Sequence, residues 1–263
     1  MALSLPTKKT QPTTKRLSML IYGAPKIGKS TFCSRIPNSI FIATEPGLDH
    51  LSTYRMDVHS WMEILEALAL LSKGDHPFDT VVIDTVDRAC AMCAEAIVDK
   101  YNKSNPDSQI TDIGDIGFGR GYRYMQAEFS RVVNKLFSMG MSVVFTSHET
   151  VEQVDTTQGK RTKIVPSFDS RCRQIILPQV DIIANIQIDT ILKDDGSVVQ
   201  NRIMRTLPST YYESGDRTGK LKDGMPFKYA IFDKLMNGKE ESSETAQRAA
   251  RISEEMVEEQ QQQ

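Results

Sequence analysis

The chain has 263 residues, of which 40% are hydrophobic and 25% charged, and its formal net charge is −2. This composition is ordinary for a globular protein, and the length favours one large α/β domain with small additions. No apolar run approaches the roughly 20 residues that a membrane helix needs. The polar, basic N-terminus also lacks the apolar stretch of a secretory signal. We therefore expect a cytoplasmic protein with no membrane partner.

The charge is unevenly distributed along the chain. Residues 1–15 are rich in Thr, Lys and Pro, which predicts a disordered basic arm. Residues 239–263 carry seven acids against three bases, a net charge of −4. We expect residues 237–263 to form an acidic tail, disordered or helical, and residues 16–236 to form the folded core.

Within the core, short apolar segments alternate with segments of helical periodicity. Strands are predicted at 16–22, 39–44, 80–83, 142–146, 180–188 and 198–204, and helices at 29–35, 58–71, 86–101 and 125–139. This alternation predicts an α/β fold with a mostly parallel central sheet and helices on both faces. The last two strands have no helix between them, so we expect antiparallel strands near the C-terminal end.

The first strand and the first helix are joined by the sequence GAPKIGKS, which matches the phosphate-binding pattern GxxxxGK[ST]. Its glycines let successive backbone N–H groups point at phosphate oxygens, and the following helix start adds positive charge. We expect Lys29 to reach the β- and γ-phosphates, Ser30 to bind Mg²⁺ and Thr31 to touch the α-phosphate. The motif thus predicts ATP and Mg²⁺ as cofactors. The expected nucleotide contacts are Gly23, Ala24, Pro25, Lys26, Ile27, Gly28, Lys29, Ser30 and Thr31.

A carboxylate follows the third predicted strand. Asp84 ends the apolar segment TVVID. In phosphate-binding ATPases a carboxylate at a strand end beside the phosphate loop helps to hold the magnesium ion. We therefore expect Asp84 to share the metal with Ser30.

Three further residues resemble those of the RecA-like recombinase ATPases. Glu45 follows the second strand in ATEPGLD, His148 follows the fourth in VVFTSHE, and Arg217 lies in GDRTGKL. The resemblance covers about residues 16–230, and it is strongest to the compact phage-encoded members associated with single-strand annealing and recombination. It implies a RecA-like P-loop NTPase fold and ATP hydrolysis.

The resemblance also implies a role for each of these residues. Glu45 would position the attacking water, as a general base. His148 would sense the γ-phosphate. Arg217 would reach the nucleotide of a neighbouring subunit and stabilise charge on the transferred phosphoryl group. The family's usual lysine in this last segment is replaced by Gly215, which departs from the pattern.

The partners implied by the resemblance are single-stranded DNA, further copies of the chain in a ring or filament, and a single-strand-binding protein. Aromatic and basic side chains that could contact DNA occur in two segments. The first is residues 117–124. The second is residues 149–178, where the resemblance implies a mobile DNA-binding loop. The candidate contacts are Phe118, Arg120, Tyr122 and Arg123 in the first segment, and Lys160, Arg161, Lys163, Arg171 and Arg173 in the second.

Other interpretations stay open at this point. The first segment could equally begin a helix whose aromatic side chains enter the core, and the second could be a solvated hairpin tip. An AAA-type ATPase that acts on a protein partner, such as a helicase loader, predicts a helical lid after the core. A small-molecule kinase predicts an arginine-rich lid, and a nucleotide-binding regulator predicts almost no hydrolysis.

Overall fold

A computed structural model of the chain describes residues 16–156, 159–192 and 196–238. The predicted basic arm and nearly all of the predicted acidic tail lie outside the described residues. No helix among the described residues is both long and apolar enough to cross a membrane.

The described chain alternates strands and helices up to β5 and then becomes rich in strands. The strands are β1 (Ser18–Gly23), β2 (Ser39–Ala43), β3 (Tyr54–Asp57), β4 (Thr80–Asp84), β5 (Ser142–Ser147), β6 (Glu149–Thr156), β7 (Gly159–Pro166), β8 (Ile182–Leu192), β9 (Val198–Arg205), β10 (Gly215–Asp216) and β11 (Met225–Pro226). The helices are α1 (Lys29–Cys33), α2 (Trp61–Leu71), α3 (Val86–Ser104), α4 (Arg120–Ser138), α5 (Ser170–Ile176) and α6 (Tyr229–Asn237), with a 3₁₀ turn at Ile113–Asp115.

Nine of these strands form one central sheet, in the order β11-β9-β8-β1-β5-β4-β2-β3, with β10 paired to β8. Strands β3, β2, β4, β5, β1 and β8 run parallel to their neighbours in this series. The later strands β9, β10 and β11 pair antiparallel. This arrangement confirms the predicted fold class, a mostly parallel sheet with antiparallel strands near the C-terminal end.

Helices cover both faces of the sheet because successive strand residues point to opposite sides. Leu20 packs into a core with α2, α3, α4 and α5. Its neighbours Met19 and Ile21 pack into a second core with Phe32 of α1 and Phe232 of α6. The sequences of the parallel strands are nearly continuously apolar, because neither face of the sheet is open to water.

The strand order separates β1, which leads into the phosphate loop, from the strand that carries Asp84. Asp84 ends β4, but β4 is not next to β1, because β5 lies between them. The carboxyl ends of β1, β5, β4 and β2 still meet at one edge of the sheet. We call this the carboxyl edge.

The segment after His148 is also more regular than a mobile loop. Strands β6 and β7 pair antiparallel over their whole length, from Glu149 opposite Pro166 to Thr156 opposite Gly159. The backbone N–H of Ser167 donates to the carbonyl of His148 at 3.0 Å and closes the base of this hairpin. The residues expected to form a mobile DNA loop therefore form a two-stranded hairpin followed by α5.

The start of α4 and the presence of β3 also differ from expectation. α4 begins at Arg120 rather than Met125, so the predicted DNA contacts Arg120, Tyr122 and Arg123 lie on its first turn. β3 was not predicted, because its sequence YRMD is mostly exposed at the edge of the sheet and lacks an apolar run.

Candidate functional site

The phosphate loop lies at the carboxyl edge, between β1 and α1. Lys26 and Gly28 have positive φ values of 64° and 103°. A Cβ on Gly28 would lie 2.7 Å from Nη1 of Arg202, and one on Gly23 would lie 2.6 Å from the carbonyl oxygen of Ile186. Both motif glycines are therefore required by the backbone conformation or by close packing.

Free backbone donors follow the loop. The first intrahelical bond of α1 runs from the N–H of Phe32 to the carbonyl of Gly28 at 2.9 Å. The N–H groups of Lys29, Ser30 and Thr31 precede that bond and have no acceptor within the helix. Because α1 has only five residues, the donors for phosphate are these amides rather than the dipole of a long helix.

Lys29 provides a buried positive charge in this loop. Its Nζ donates to the carbonyl oxygens of Gly23 at 2.9 Å and Ala24 at 3.0 Å. Burial lowers the pKa of Lys29, and the nearby carboxylates, Asp84 foremost, oppose that shift. An anion placed here would gain a charge-assisted hydrogen bond in a poorly solvated setting.

Asp84 is buried at the carboxyl end of β4. The hydroxyl of Thr146, on neighbouring β5, donates to its Oδ1. This bond holds one carboxylate oxygen in place, so the orientation of the group is set by the strand that separates β4 from β1.

Glu45 follows β2 and is held from two sides. Its Oε1 accepts a hydrogen bond from the hydroxyl of Thr85 at 2.8 Å, and its Oε2 lies 3.5 Å from Nε2 of His148. Thr85 is itself fixed by Thr44, whose hydroxyl donates to the Thr85 carbonyl at 2.8 Å. The carboxylate predicted to position water is thus oriented by neighbouring strand ends.

These groups surround one cavity of about 300 Å³ at the carboxyl edge, which we call the phosphate cavity. Its lining comprises Lys26, Gly28, Lys29, Ser30, Thr31, Glu45, Pro46, Gly47, Leu48, His50, Leu51, Asp84, Thr85 and His148. The structure therefore brings together the predicted residues Lys29, Ser30, Glu45, Asp84 and His148.

The donor set fits a nucleotide with magnesium. Among the described residues, no group of three or more His, Cys, Asp or Glu side chains could hold a metal ion. Magnesium in phosphoryl-transfer sites is held by one or two protein oxygens, by phosphate oxygens and by water. The Ser30 hydroxyl and the Asp84 carboxylate, both lining this cavity, supply such protein oxygens.

Asp87 lies next to the site, where it contacts the backbone of His148, and it was not predicted. It lies on the first turn of α3 and accepts hydrogen bonds from the Ser147 hydroxyl at 3.1 Å, the His148 N–H at 3.3 Å and the Ser167 hydroxyl. Burial raises its pKa, and the serine hydrogen bonds oppose that shift. Asp87 thus ties both ends of the hairpin to the helix that follows Asp84. The only feature of the sequence that could have drawn attention to Asp87 is its position three residues after Asp84.

Arg217 lies away from the phosphate cavity. It follows β10, which pairs with the first residues of β8, and it donates to the carbonyl of Pro178 at 2.8 Å. Along β8, Asp216 pairs at Ile182, whereas Gly23 pairs at Ile186. That offset of four residues corresponds to about 13 Å. Arg217 therefore does not contribute to the cavity of its own chain.

The first group of predicted DNA contacts lies around the start of α4. Phe118 is 98% exposed, and Arg120 and Arg123 are also exposed. Tyr122 differs, because the Arg171 guanidinium lies 4.0 Å from the centre of its ring. This contact connects α4 to α5 and leaves the Tyr122 ring partly covered.

Two of the three basic residues in the described part of the hairpin lie opposite acids. Lys160 pairs opposite Asp155, and Lys163 lies opposite Glu152 and forms an ion pair with Glu213 at 2.6 Å. Arg161 pairs opposite Val154. The hairpin is therefore less basic than its second strand alone suggested.

Arg173 requires a correction. Its side chain is buried on α5, and its guanidinium forms an ion pair with Glu152 of β6. A buried, paired guanidinium cannot meet a DNA phosphate in this conformation, so Arg173 holds α5 against the hairpin instead.

The fold and the phosphate cavity define the class of protein, a P-loop nucleoside triphosphatase. The AAA_24 family model, described as an AAA domain, matches residues 15–218. The chain therefore belongs to this AAA-domain family of P-loop ATPases. No match was found among the curated proteins.

Replacing Lys29 with alanine tests the cavity. We expect Lys29→Ala to weaken ATP binding roughly ten- to hundredfold, because a hydrogen bond to a charged group contributes about 1.5–3 kcal/mol. Isothermal titration calorimetry with Mg²⁺ and ATP measures this change. Lys73→Ala, an exposed lysine after α2, is the matched control, and equal affinity of both variants for ATP would refute the site.

Proposed function

We propose that the chain hydrolyses ATP and uses the energy to act on single-stranded DNA, in annealing or homologous recombination. The proposal of ATP hydrolysis is supported by one observation, that Lys29, Asp84 and Glu45 line the same cavity. The DNA part rests on the exposed aromatic and basic surface at the start of α4 and on the sequence resemblance.

Each residue has a distinct task in this proposal. The loop amides and Lys29 bind the phosphates, and Ser30 and Asp84 hold Mg²⁺. The metal ion, when bound, neutralises charge on the phosphates. Glu45 accepts the proton of the attacking water, while Thr85 and His148 keep its carboxylate turned into the cavity. Binding and proton transfer thus depend on different residues.

Glu45→Gln separates hydrolysis from binding. The amide keeps the shape of the side chain but cannot accept the proton, so we expect kcat to fall by about 10²- to 10⁴-fold. ATP affinity should stay within a few fold of the unchanged protein. A phosphate-release assay alongside calorimetry measures both, with the exposed Glu66→Gln as control. Unchanged hydrolysis would remove Glu45 from catalysis.

The proposed DNA surface begins at Phe118. This residue has a φ of 59°, in the left-handed region, and stands between Gly117 and Gly119 with its ring almost entirely in solvent. An exposed ring can stack on a base, and the nearby Arg120 and Arg123 can meet phosphates. α4 leads into the amino end of β5, so its first turn lies toward the carboxyl edge, where the phosphate cavity also lies.

ATP hydrolysis with and without single-stranded DNA, at two salt concentrations, tests this surface. We expect stimulation by DNA that fades with salt, because phosphate contacts release counterions. Phe118→Ala should weaken DNA binding about tenfold or more, since base stacking contributes about 1–3 kcal/mol. Tyr54→Ala, an exposed aromatic on β3, is the control. Hydrolysis that is indifferent to DNA would overturn the DNA proposal and leave the cavity assignment intact.

The helicase-loader and kinase interpretations each predict a feature that the described residues do not show. A helicase loader predicts a helical lid after the core, but the described chain after β9 holds two short strands and α6. A kinase predicts an arginine-rich lid, but Lys160 and Lys163 of the hairpin lie opposite acids, and Arg173 of α5 is paired with Glu152. A single-strand-binding protein remains a proposed partner through the resemblance alone.

The proposal assigns Arg217 to a neighbouring subunit in a ring or filament. Its distance from its own phosphate loop suits a role in trans, and its guanidinium is exposed although it lies 3.5 Å from Oδ1 of Asp181. An arginine supplied in this way stabilises charge on the transferred phosphoryl group.

Mixing two inactive variants tests the trans role. Arg217→Ala should lower kcat by up to about 10³-fold with ATP affinity retained. Mixed with Lys29→Ala subunits, which keep Arg217, it should regain part of its activity, because the intact arginine then meets an intact cavity. Restored hydrolysis in the mixture supports the proposal. Full activity of Arg217→Ala alone, or no recovery on mixing, would contradict it.

A further inference from the structure

Strands β8 and β9 continue past the end of β1 as a two-stranded ribbon. The last pair between β1 and β8 joins Gly23 and Ile186, whereas β8 and β9 stay paired as far as Leu192 opposite Val198. We call residues 187–192 of β8 and 198–202 of β9 the outer ribbon. Six strand residues span about 20 Å, so this ribbon projects from the carboxyl edge beside the phosphate loop.

One face of the outer ribbon carries large exposed apolar side chains. Ile188, Leu192 and Val198 are 54%, 71% and 60% exposed. They continue the face on which Ile186 and Met204 enter the core, because every second residue of a strand points to the same side. We call this the apolar face, and Thr190 and Gln200 are its polar members.

The opposite face of the outer ribbon is more polar. Asp189 and Asn201 lie opposite each other there and are exposed. The next pair along the same face joins Ile191, which is exposed, to Val199, which is partly buried. Ile191 is therefore a matched control for Leu192, since the two residues are neighbours in the chain and point to opposite sides.

The apolar face has no cover within the described part of the chain. Beyond Ile186 on β8 and Ile203 on β9, no other described strand pairs with the ribbon. A two-stranded ribbon by itself is only marginally stable in water. An exposed group of large apolar side chains is typical of a surface that contacts another protein.

The apolar face also borders the phosphate loop. Arg202 lies on this face, opposite Ile188, and its Nη1 donates to the carbonyl of Ile27 at 3.2 Å. A molecule that covers Ile188 is therefore placed beside the loop that is expected to bind the nucleotide.

Arg217 lies at the other end of β8. Its backbone N–H donates to the carbonyl of Asp181 at 2.8 Å, and the preceding Asp216 pairs with Ile182. Ile182 and Leu192 are ten residues apart along the strand, or about 34 Å. The outer ribbon and Arg217 therefore cannot meet within one chain, but two copies placed head to tail along β8 would bring them together.

We propose that the apolar face of the outer ribbon docks on a second copy of this chain, at the end that carries Arg217. The inference rests on the proposed function, which requires the arginine of a neighbour at the phosphate cavity. The ribbon is then the contact that brings the arginine to that cavity. Because the two surfaces differ, the contact is head to tail, and its repetition gives a ring or a filament.

Sedimentation velocity with Mg²⁺ and a non-hydrolysable ATP analogue tests the contact. Leu192→Ser should weaken self-association about tenfold or more, because one buried leucine side chain is lost from the interface. Its ATP affinity should be retained, and its kcat should fall to the level of Arg217→Ala. Ile191→Ser, on the opposite face, should associate like the unchanged protein, and equal weakening in both variants would contradict the assignment of the face.

A cross-linking experiment covers the case that Leu192→Ser unfolds. Leu192→Cys and Lys220→Cys place reactive thiols at the ribbon and near Arg217, whereas the four native cysteines are buried. A bismaleimide should join the two variants when they are mixed in the presence of the ATP analogue. Ile191→Cys mixed with Lys220→Cys is the control and should give much less product. Equal yields from the two mixtures would contradict the proposed contact.

The outcomes separate this inference from the proposed function. If the unchanged protein binds no ATP, the proposed function fails. If it hydrolyses ATP but remains monomeric, or if Leu192→Ser associates as well as the unchanged protein, the ribbon inference is overturned and hydrolysis stands. Loss of single-stranded DNA binding in Leu192→Ser with association unchanged would also overturn it, and would assign the ribbon to DNA.

Discussion

Parallel pairing of the central strands is the constraint on which the candidate site depends. Because β1, β5, β4 and β2 run in one direction, the residues that follow them meet at the carboxyl edge. Lys29, Asp84, Glu45 and His148 are far apart in the chain, but each follows or ends one of these strands. The apolar cores on both faces hold the strands in register, so the geometry of the cavity is set by the sheet itself.

The hairpin is physically connected to the nucleotide side of the molecule through one carboxylate. Asp87 receives hydrogen bonds from Ser147, from His148 and from Ser167, so it holds the two ends of the β6–β7 segment beside α3. His148 in turn lies against Glu45. Glu45 is therefore connected to the base of the hairpin through two contacts, one to His148 and one from His148 to Asp87.

The distribution of charge at the carboxyl edge distinguishes two surfaces that look alike in the sequence. Lys160 and Lys163 of β7 lie opposite acids of β6, and Arg173 is buried against Glu152. At the start of α4, by contrast, Phe118 and the neighbouring arginines are exposed. The proposed DNA contacts therefore concentrate on α4, and the hairpin is better suited to joining α5 to the rest of the edge.

The phosphate loop, the alternation of strands and helices, and the carboxylates at the ends of β2 and β4 could be predicted from the sequence, because these are local patterns of spacing and hydrophobicity. The sequence could not place β5 between β1 and β4, or reveal that Arg202 covers Gly28, since these are contacts between residues distant in the chain. It also could not show that Arg173 is buried or that Arg217 lies far from its own loop. Burial and separation depend on how distant parts of the chain pack together, so they can be seen only in the folded structure.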